Sequence, residues 1–294
     1  MKKGNKPMSK KKKIILSIVS IILCGAICFC LFGAFSPFTA LRKAYNKPQA
    51  LISLEKEAPD IAKDIAITAH RGVNAQAPEN TLPAYEKAIE LGYYSAECDI
   101  KQSSDGTWVL YHDPLLFTRF QKWGAVGDKD LATLKSYPYK TGTAFWEYPD
   151  VRIPTLEEYL ELFVGSSTRP QIEIKTSNYD SLTSVIEAVK AKGLEKSAII
   201  ISFDLEQLKE IRKYDNDIEL WYLVYKINQK KIDEAKSLGN CWISADIDLN
   251  NEKTISLCLS QDVGLSLWTV NTVKDAQKFY DMGVRYIETD ILYN

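Results

Sequence analysis

Two histidines, three methionines and six cysteines are all that the 294 residues contain. Half of the cysteines (Cys24, Cys28 and Cys30) fall within one apolar run. The others, Cys98, Cys241 and Cys258, are scattered, with no CxxC spacing and no paired histidine. A structural zinc site and a disulfide framework are therefore excluded. No glycine-rich phosphate loop follows the first strand-like segment, which speaks against an open dinucleotide-binding sheet. Outside the N-terminus, acidic residues outnumber basic ones. Residues 1–13 carry seven lysines and no acid, so a formal net charge of −1 for the chain leaves −8 on the remaining 281 residues. A net-acidic body lacks the broad basic face that nucleic-acid binding needs. With 46% hydrophobic and 26% charged residues, the composition is that of a folded chain.

The longest uncharged run is residues 14–35, IILSIVSIILCGAICFCLFGAF, in which 18 of 22 residues are apolar. As a helix it extends roughly 33 Å, enough to cross a hydrocarbon core. A cleaved signal peptide normally has a shorter apolar stretch and a small-x-small cleavage site, and around Pro37–Ala40 a Phe stands where a small residue is needed. The expectation is an uncleaved single-pass anchor, with residues 1–13 as a basic cytoplasmic segment. Residues 36–64 would then be a tether with room for a short helix, and the body would lie outside the cytoplasm at the cell membrane.

From Ile65 onward, short β-branched runs alternate with amphipathic stretches. The strand-like runs are 65–69, 94–100, 171–175, 198–202, 219–224, 241–245, 264–270 and 285–289. Helical patterns occupy 81–91, 155–164, 180–191, 204–213, 229–238, 251–260 and 272–281. Gly92, Gly193, Gly239 and Gly283 sit where glycines close helices. Such alternation predicts right-handed crossovers and a parallel sheet, and its count over 65–294 matches a TIM (β/α)8 barrel. Residues 113–150, rich in Gly, Pro and aromatics, read as a small insertion after the second strand, lying over one end of the barrel.

Both histidines fall at ends of apolar runs, His70 in AHRG and His112 in WVLYHDP. Barrel active sites are built at such strand ends, and imidazole is the side chain suited to proton transfer near neutral pH. Glu97 and Asp99 are two apart in a strand and face the same way, with Cys98 facing opposite. Adjacent carboxylates inside a barrel repel unless a cation lies between them. Glu173, with Lys175 on the same face, adds a third carboxylate from another strand. This oxygen-only set suits Mg²⁺ or Ca²⁺, although ion pairing with Lys or Arg accounts for the two-residue spacing equally well. Arg71 supplies a fixed cation suited to phosphate.

Taken in order, HRG at 70–72, APENT at 77–81, ECD at 97–99, DG at 105–106, HD at 112–113, RIPTLEE at 152–158, EIK at 173–175, SFD at 202–204 and WTVN at 268–271 resemble the glycerophosphodiester phosphodiesterases. The resemblance spans about 65–292. It implies a TIM barrel with a small insertion that hydrolyses glycerophosphodiesters to an alcohol and sn-glycerol 3-phosphate with one divalent cation. It further implies His70 and His112 as acid and base, and Glu97, Asp99 and Glu173 as metal ligands. Arg71 would hold phosphate, Lys175 would contact phosphate or the glycerol end, Trp268 would line the glycerol pocket, and Glu79 would either orient Arg71 or serve the start of the first helix. Where the family commonly continues after HDP with an acidic-Arg-Thr pattern, this chain has LLFTRF at 115–120. The aromatics Phe117, Phe120, Trp123, Phe145 and Trp146 either rest on a lipid surface or an apolar leaving group, or pack the insertion onto the barrel. Other readings are lysophospholipase D-like or related phospholipase action, and an inactive membrane-tethered module that binds a phosphate ligand. Expected partners are the diester or lysophospholipid and the membrane, without nucleic acid.

Overall fold

A computed structural model describes residues 46–294. Eight parallel strands form its centre: β2 (Ala66–Ala69), β3 (Ser95–Gln102), β5 (Arg169–Ile174), β6 (Ile199–Ser202), β7 (Glu219–Val224), β8 (Cys241–Asp246), β9 (Leu265–Trp268) and β10 (Tyr286–Thr289). Their hydrogen-bonded order is β2-β10-β9-β8-β7-β6-β5-β3, and a β2–β3 pairing closes the ring. The crossovers use α3 (Leu82–Glu90), α6 (Leu156–Leu162), α7 (Leu182–Ala191), α8 (Leu205–Tyr214), α9 (Gln229–Ser237), α10 (Glu252–Leu259) and α11 (Val273–Asp281). This is the expected TIM-like barrel, with strand and helix positions agreeing to within a few residues.

Most of these helices begin with a side chain that accepts a hydrogen bond from a first-turn amide: Thr155, Asp204, Asn228, Asn251 and Thr272. Gly92, Gly193, Gly239 and Gly283 all have positive φ just after a helix, as the glycine spacing predicts. Outward-facing apolar residues of the strands, Cys98 among them, pack under the helices in one large core. Ile199, Ile201, Trp221 and Leu223 form a second apolar cluster on the opposite face of the strands, where Trp221 stacks on Trp242 with ring centres 5.4 Å apart.

Three features differ from the sequence expectation. The run before His112 makes a strand, β4 (Trp108–Leu110), antiparallel to the end of β3. Secondly, part of the expected tether 36–64 is folded. There β1 (Ile52–Ser53) pairs with the C-terminal β11 (Leu292–Tyr293), and the short helices α1 (Leu54–Glu57) and α2 (Pro59–Ala62) bury Leu54 and Ile61 in the main core. That stretch is too short to show a period of its own, which is why its packing is invisible in sequence. Thirdly, the insertion holds short helices, α4 (Phe117–Phe120) and α5 (Leu131–Lys135), around a separate apolar cluster that includes Tyr111, Leu116, Phe120 and Tyr139. Phe120 and Phe145 are buried, whereas Phe117 and Trp123 are 44% and 79% exposed. The apolar run 14–35 lies outside the described residues, and among the described residues no helix is long and apolar enough to cross a membrane.

Candidate active site

Register builds the site. β3 and β5 pair so that Asp99 lies beside Glu173, and the two-residue strand period turns Glu97 to the same interior. Glu97 and Asp99 are each 1% exposed, and carboxylate oxygens of Glu97, Asp99 and Glu173 lie within 4.8 Å of one another. Lys175 spans two of them, with Nζ 2.7 Å from Glu173 and 3.2 Å from Asp99. Asn80 donates to Asp99 Oδ2 at 2.8 Å and accepts from its backbone N–H at 3.0 Å.

The turn after β2 supplies the next groups. Arg71 adopts φ +58° and Gly72 φ +76°. A Cβ on Gly72 would meet Ala84 Cβ at 2.7 Å, so only glycine fits beneath α3. This bend aims the Arg71 backbone N–H at Glu97 Oε2, 2.9 Å away. It also sets the guanidinium between Glu79, at 3.1 Å, and Asp99, at 3.4 Å. Arg119, from the insertion, reaches the other oxygen of Glu79 at 2.9 Å and Asp113 at 3.5 Å. The insertion is thereby tied to the barrel mouth.

Both histidines have a carboxylate on Nδ1: Asp290 at 2.8 Å from His70, and Asp113 at 3.0 Å from His112. A carboxylate only accepts, so Nδ1 carries the hydrogen in each neutral ring and Nε2 is left to exchange a proton. Asp290 is itself held by Asn74 at 2.6 Å, by Asn271 at 2.8 Å and, through its backbone, by Asn271 Oδ1 at 2.8 Å. Glu288 Oε1 lies 3.8 Å from His70 Nε2, and its other oxygen accepts from Gln171 at 3.2 Å. Trp268, at the end of β9, completes the rim, and its indole N–H has no acceptor among the described residues.

The electrostatics follow from this crowding. Burial, then the charges of Asp99, Glu288 and Glu173, push the Glu97 carboxyl well above the usual range. Burial and the Asp99 charge lift Glu173 to about 7 against the opposing Lys175. Asp99 is shifted the other way: Lys175 and Arg71 outweigh its burial and hold it ionised. For His70, burial alone would lower the imidazole, but the hydrogen bond to Asp290 and the Glu288 charge raise it above the ordinary value. The hydrogen bond from His112 holds Asp113 well below the usual carboxylate range.

A divalent cation fits this donor set. Glu97 Oε1 is buried without a hydrogen-bond partner among the described residues. It faces a carboxylate cluster of the hard-oxygen type that Mg²⁺ and Ca²⁺ prefer. Such an orphan acceptor costs free energy unless something positive meets it.

All nine residues singled out in the sequence thus lie at or just inside the C-terminal mouth of one barrel. Missing from that set were Glu288, Asp290, Asn80, Asn271 and Arg119. A signal for two of them was present: Glu288-Thr289-Asp290 repeats the spacing of Glu97-Cys98-Asp99 at the end of the last strand. Asn80 and Asn271 sit within the quoted motifs and hold Asp99 and Asp290. Arg119 had no signal, because its role depends on how the insertion folds back.

Fold and site together are those of a (β/α)8 barrel whose mouth gathers carboxylates, two histidines and fixed cations. Residues 70–292 match the Glycerophosphoryl diester phosphodiesterase family, and the chain belongs to it. It is similar to glycerophosphodiester phosphodiesterases of Bacillus altitudinis (30% identical, covering 76% of this chain and 94% of that protein) and Caldanaerobacter subterraneus subsp. tengcongensis (29%, covering 76% and 93%). Among solved structures it resembles an Oleispira antarctica phosphodiesterase in complex with the product sn-glycerol-3-phosphate. The TM-score is 0.71 at 23% identity, covering 82% of this chain and 96% of that one. At that identity the likeness speaks to the fold.

Proposed function

We propose that this enzyme hydrolyses glycerophosphodiesters to an alcohol and sn-glycerol 3-phosphate in a cation-dependent reaction at the outer surface of the cell membrane. The observation that carries the reading is the unpartnered buried oxygen of Glu97, inside a three-carboxylate cluster at a mouth that also gathers both histidines of the chain. Glu97, Asp99 and Glu173 would hold Mg²⁺ or Ca²⁺. When bound, that ion supplies positive charge against the phosphate oxygens as charge grows on them.

The protein's own groups do the rest. Arg71, fixed by Glu79 and Asp99, and Lys175 grip the phosphate oxygens. Trp268 lies along the glycerol end. One imidazole takes the proton of the attacking hydroxyl, either water or the substrate's own 2-hydroxyl. The other donates a proton to the alcohol as its P–O bond breaks. When the 2-hydroxyl attacks, a cyclic phosphate forms and water then opens it. Asp290 and Asp113 keep each Nε2 in the role of proton carrier.

The apolar run 14–35 behind its lysines supports a single-pass anchor with the barrel outside the cytoplasm. It brings the mouth near headgroup diesters and lysophospholipids. The deciding assay incubates the full chain in detergent with glycerophosphocholine and glycerophosphoethanolamine and follows release of sn-glycerol 3-phosphate. Release that a chelator stops, that Ca²⁺ or Mg²⁺ restores, and that His70→Ala abolishes is the expected result. Release that persists in excess chelator removes the cation from the reaction, and no release of the phosphate from any diester overturns the assignment.

A further inference from the structure

The large apolar side chains left in solvent are not spread evenly over the barrel. Eight are exposed among the described residues. Six of them, Leu115, Phe117, Trp123, Phe203, Tyr225 and Leu249, lie in the segments that follow the C-terminal ends of the strands, the insertion with its short helix α4 among them, on the side of the catalytic mouth. Only Val164 and Tyr214 lie at the other end, where helices α6 and α8 finish. Within the six, Phe117 stacks on Trp123 at 5.2 Å and Phe203 on Tyr225 at 4.9 Å, giving two aromatic pairs on one rim. Burial would offer each a favourable transfer, yet each is held in water. An exposed lysine adjoins each pair, Lys122 beside Trp123 and Lys226 beside Tyr225. Aromatic rings with neighbouring lysines are the residues that settle at a bilayer's headgroup level.

A second, independent observation concerns where the chain enters the barrel. Gln49 donates its backbone N–H to Ala75 O at 2.8 Å. It lines the same mouth cavity, of about 470 Å³, as His70, Arg71 and Asp290. The chain thus enters the barrel beside the catalytic mouth, 14 residues after the apolar run ends at Phe35.

We infer that the barrel docks on the lipid bilayer with its catalytic face down, using Leu115, Phe117 and Trp123 as the principal wedge and Phe203 and Tyr225 as a second contact. The occupant of the patch is the bilayer surface, and the substrate is drawn from it. The docking geometry stands on exposure and chain entry, and rests on the proposed anchor. Its consequence for turnover rests on the proposed hydrolysis.

The test reconstitutes the full chain in phosphatidylcholine vesicles with a minority of phosphatidylglycerol, with and without brominated acyl chains. All six tryptophans lie at or beyond residue 108, so quenching reports the barrel and not the apolar run. Bromine should quench the wild type, and Trp123→Phe should remove more than half of that quenching. The variant Leu115→Ser/Phe117→Ser should lower hydrolysis of vesicle-borne lysophosphatidylethanolamine about fivefold or more while leaving soluble glycerophosphoethanolamine unaffected. Absence of bromine quenching overturns the inference, and so does quenching that Trp123→Phe leaves intact. Equal loss on both substrates also overturns it, because the patch would then serve the site itself. If the wild type hydrolyses neither substrate, the catalytic reading fails while the quenching still decides docking.

Discussion

Glu97 shows how one side chain is set against folding for the sake of the site. It is buried with Asp99, Glu173 and Glu288 around it, and its carboxyl is pushed strongly toward the neutral form. Glu97→Gln keeps the shape and removes a charge, so the cation-free protein should melt about 2–4 °C higher, the shift that ~1 kcal/mol produces in a domain of this size. The same variant should lose the rise in Tm that Ca²⁺ or Mg²⁺ gives the wild type, together with activity. Calorimetry with and without the ion reads both effects, and a lower Tm without ion contradicts the account. His70 offers a pH-dependent case. Its hydrogen bond to Asp290 and the Glu288 charge favour the imidazolium, so its midpoint lies above the ordinary value. In Asp290→Asn that support goes, and the midpoint should move to lower pH. Any activity limb governed by His70 should move with it, and kcat/KM should fall by roughly 10²-fold or more as the ring loses its orientation. With only two histidines in the chain, NMR titration of the imidazoles follows His70 directly, and an unmoved pair of resonances refutes the role of Asp290.

Among the elements, the turn joining β2 to α3 concentrates the most function in the fewest residues. It carries His70 and Arg71, and it closes only because Gly72 passes against Ala84. Gly72→Ala adds a Cβ where there is no room and demands a positive φ of an L side chain. A loss of ~1–3 kcal/mol is expected from the backbone conformation alone, and more if α3 does not give way. Activity should fall further than stability, since the Arg71 N–H would leave Glu97. Denaturant unfolding beside kcat/KM measures the two, and a fully active Gly72→Ala enzyme shows the turn to be slack. The insertion is the opposite kind of element. It owns a small core around Phe120 and Tyr139 and meets the barrel's charged network through Arg119. It therefore behaves as a built wall of the mouth.

For the whole molecule, the outcome that matters is where the domain begins. Leu54 and Ile61 are completely buried, and β1 pairs with the last strand, β11. The folded unit accordingly runs from Pro48. Leu54→Ala should cost ~2–5 kcal/mol, the range for deleting a buried leucine side chain. A chain starting at Ile65 should be far less stable than one starting at Asn46. Thermal melts of the two truncations check this, and equal Tm values return residues 48–64 to the role of a linker.

The eight strands, seven crossover helices and the four glycines that close helices were legible because each relies on a local period or a local turn. Amphipathic spacing and C-terminal glycines need no knowledge of distant chain. Glu97 and Asp99 were equally legible as a pair, since the two-residue period alone turns them together. Their resemblance-bearing motifs carried the family. The sequence could not show that Glu288 and Asp290 return to His70 from 218 and 220 residues away, or that Arg119 reaches Glu79 across the mouth. Nor could it show that Leu54 belongs to the core. Barrel closure sets these contacts, by bringing the last strand beside the first and the chain's entry beside its end. Most barrel strands and helices can be read locally, because the forces that make a helix or strand act within a few residues. Which charges come to share one buried cluster is set by the closed fold, because that depends on register around the ring.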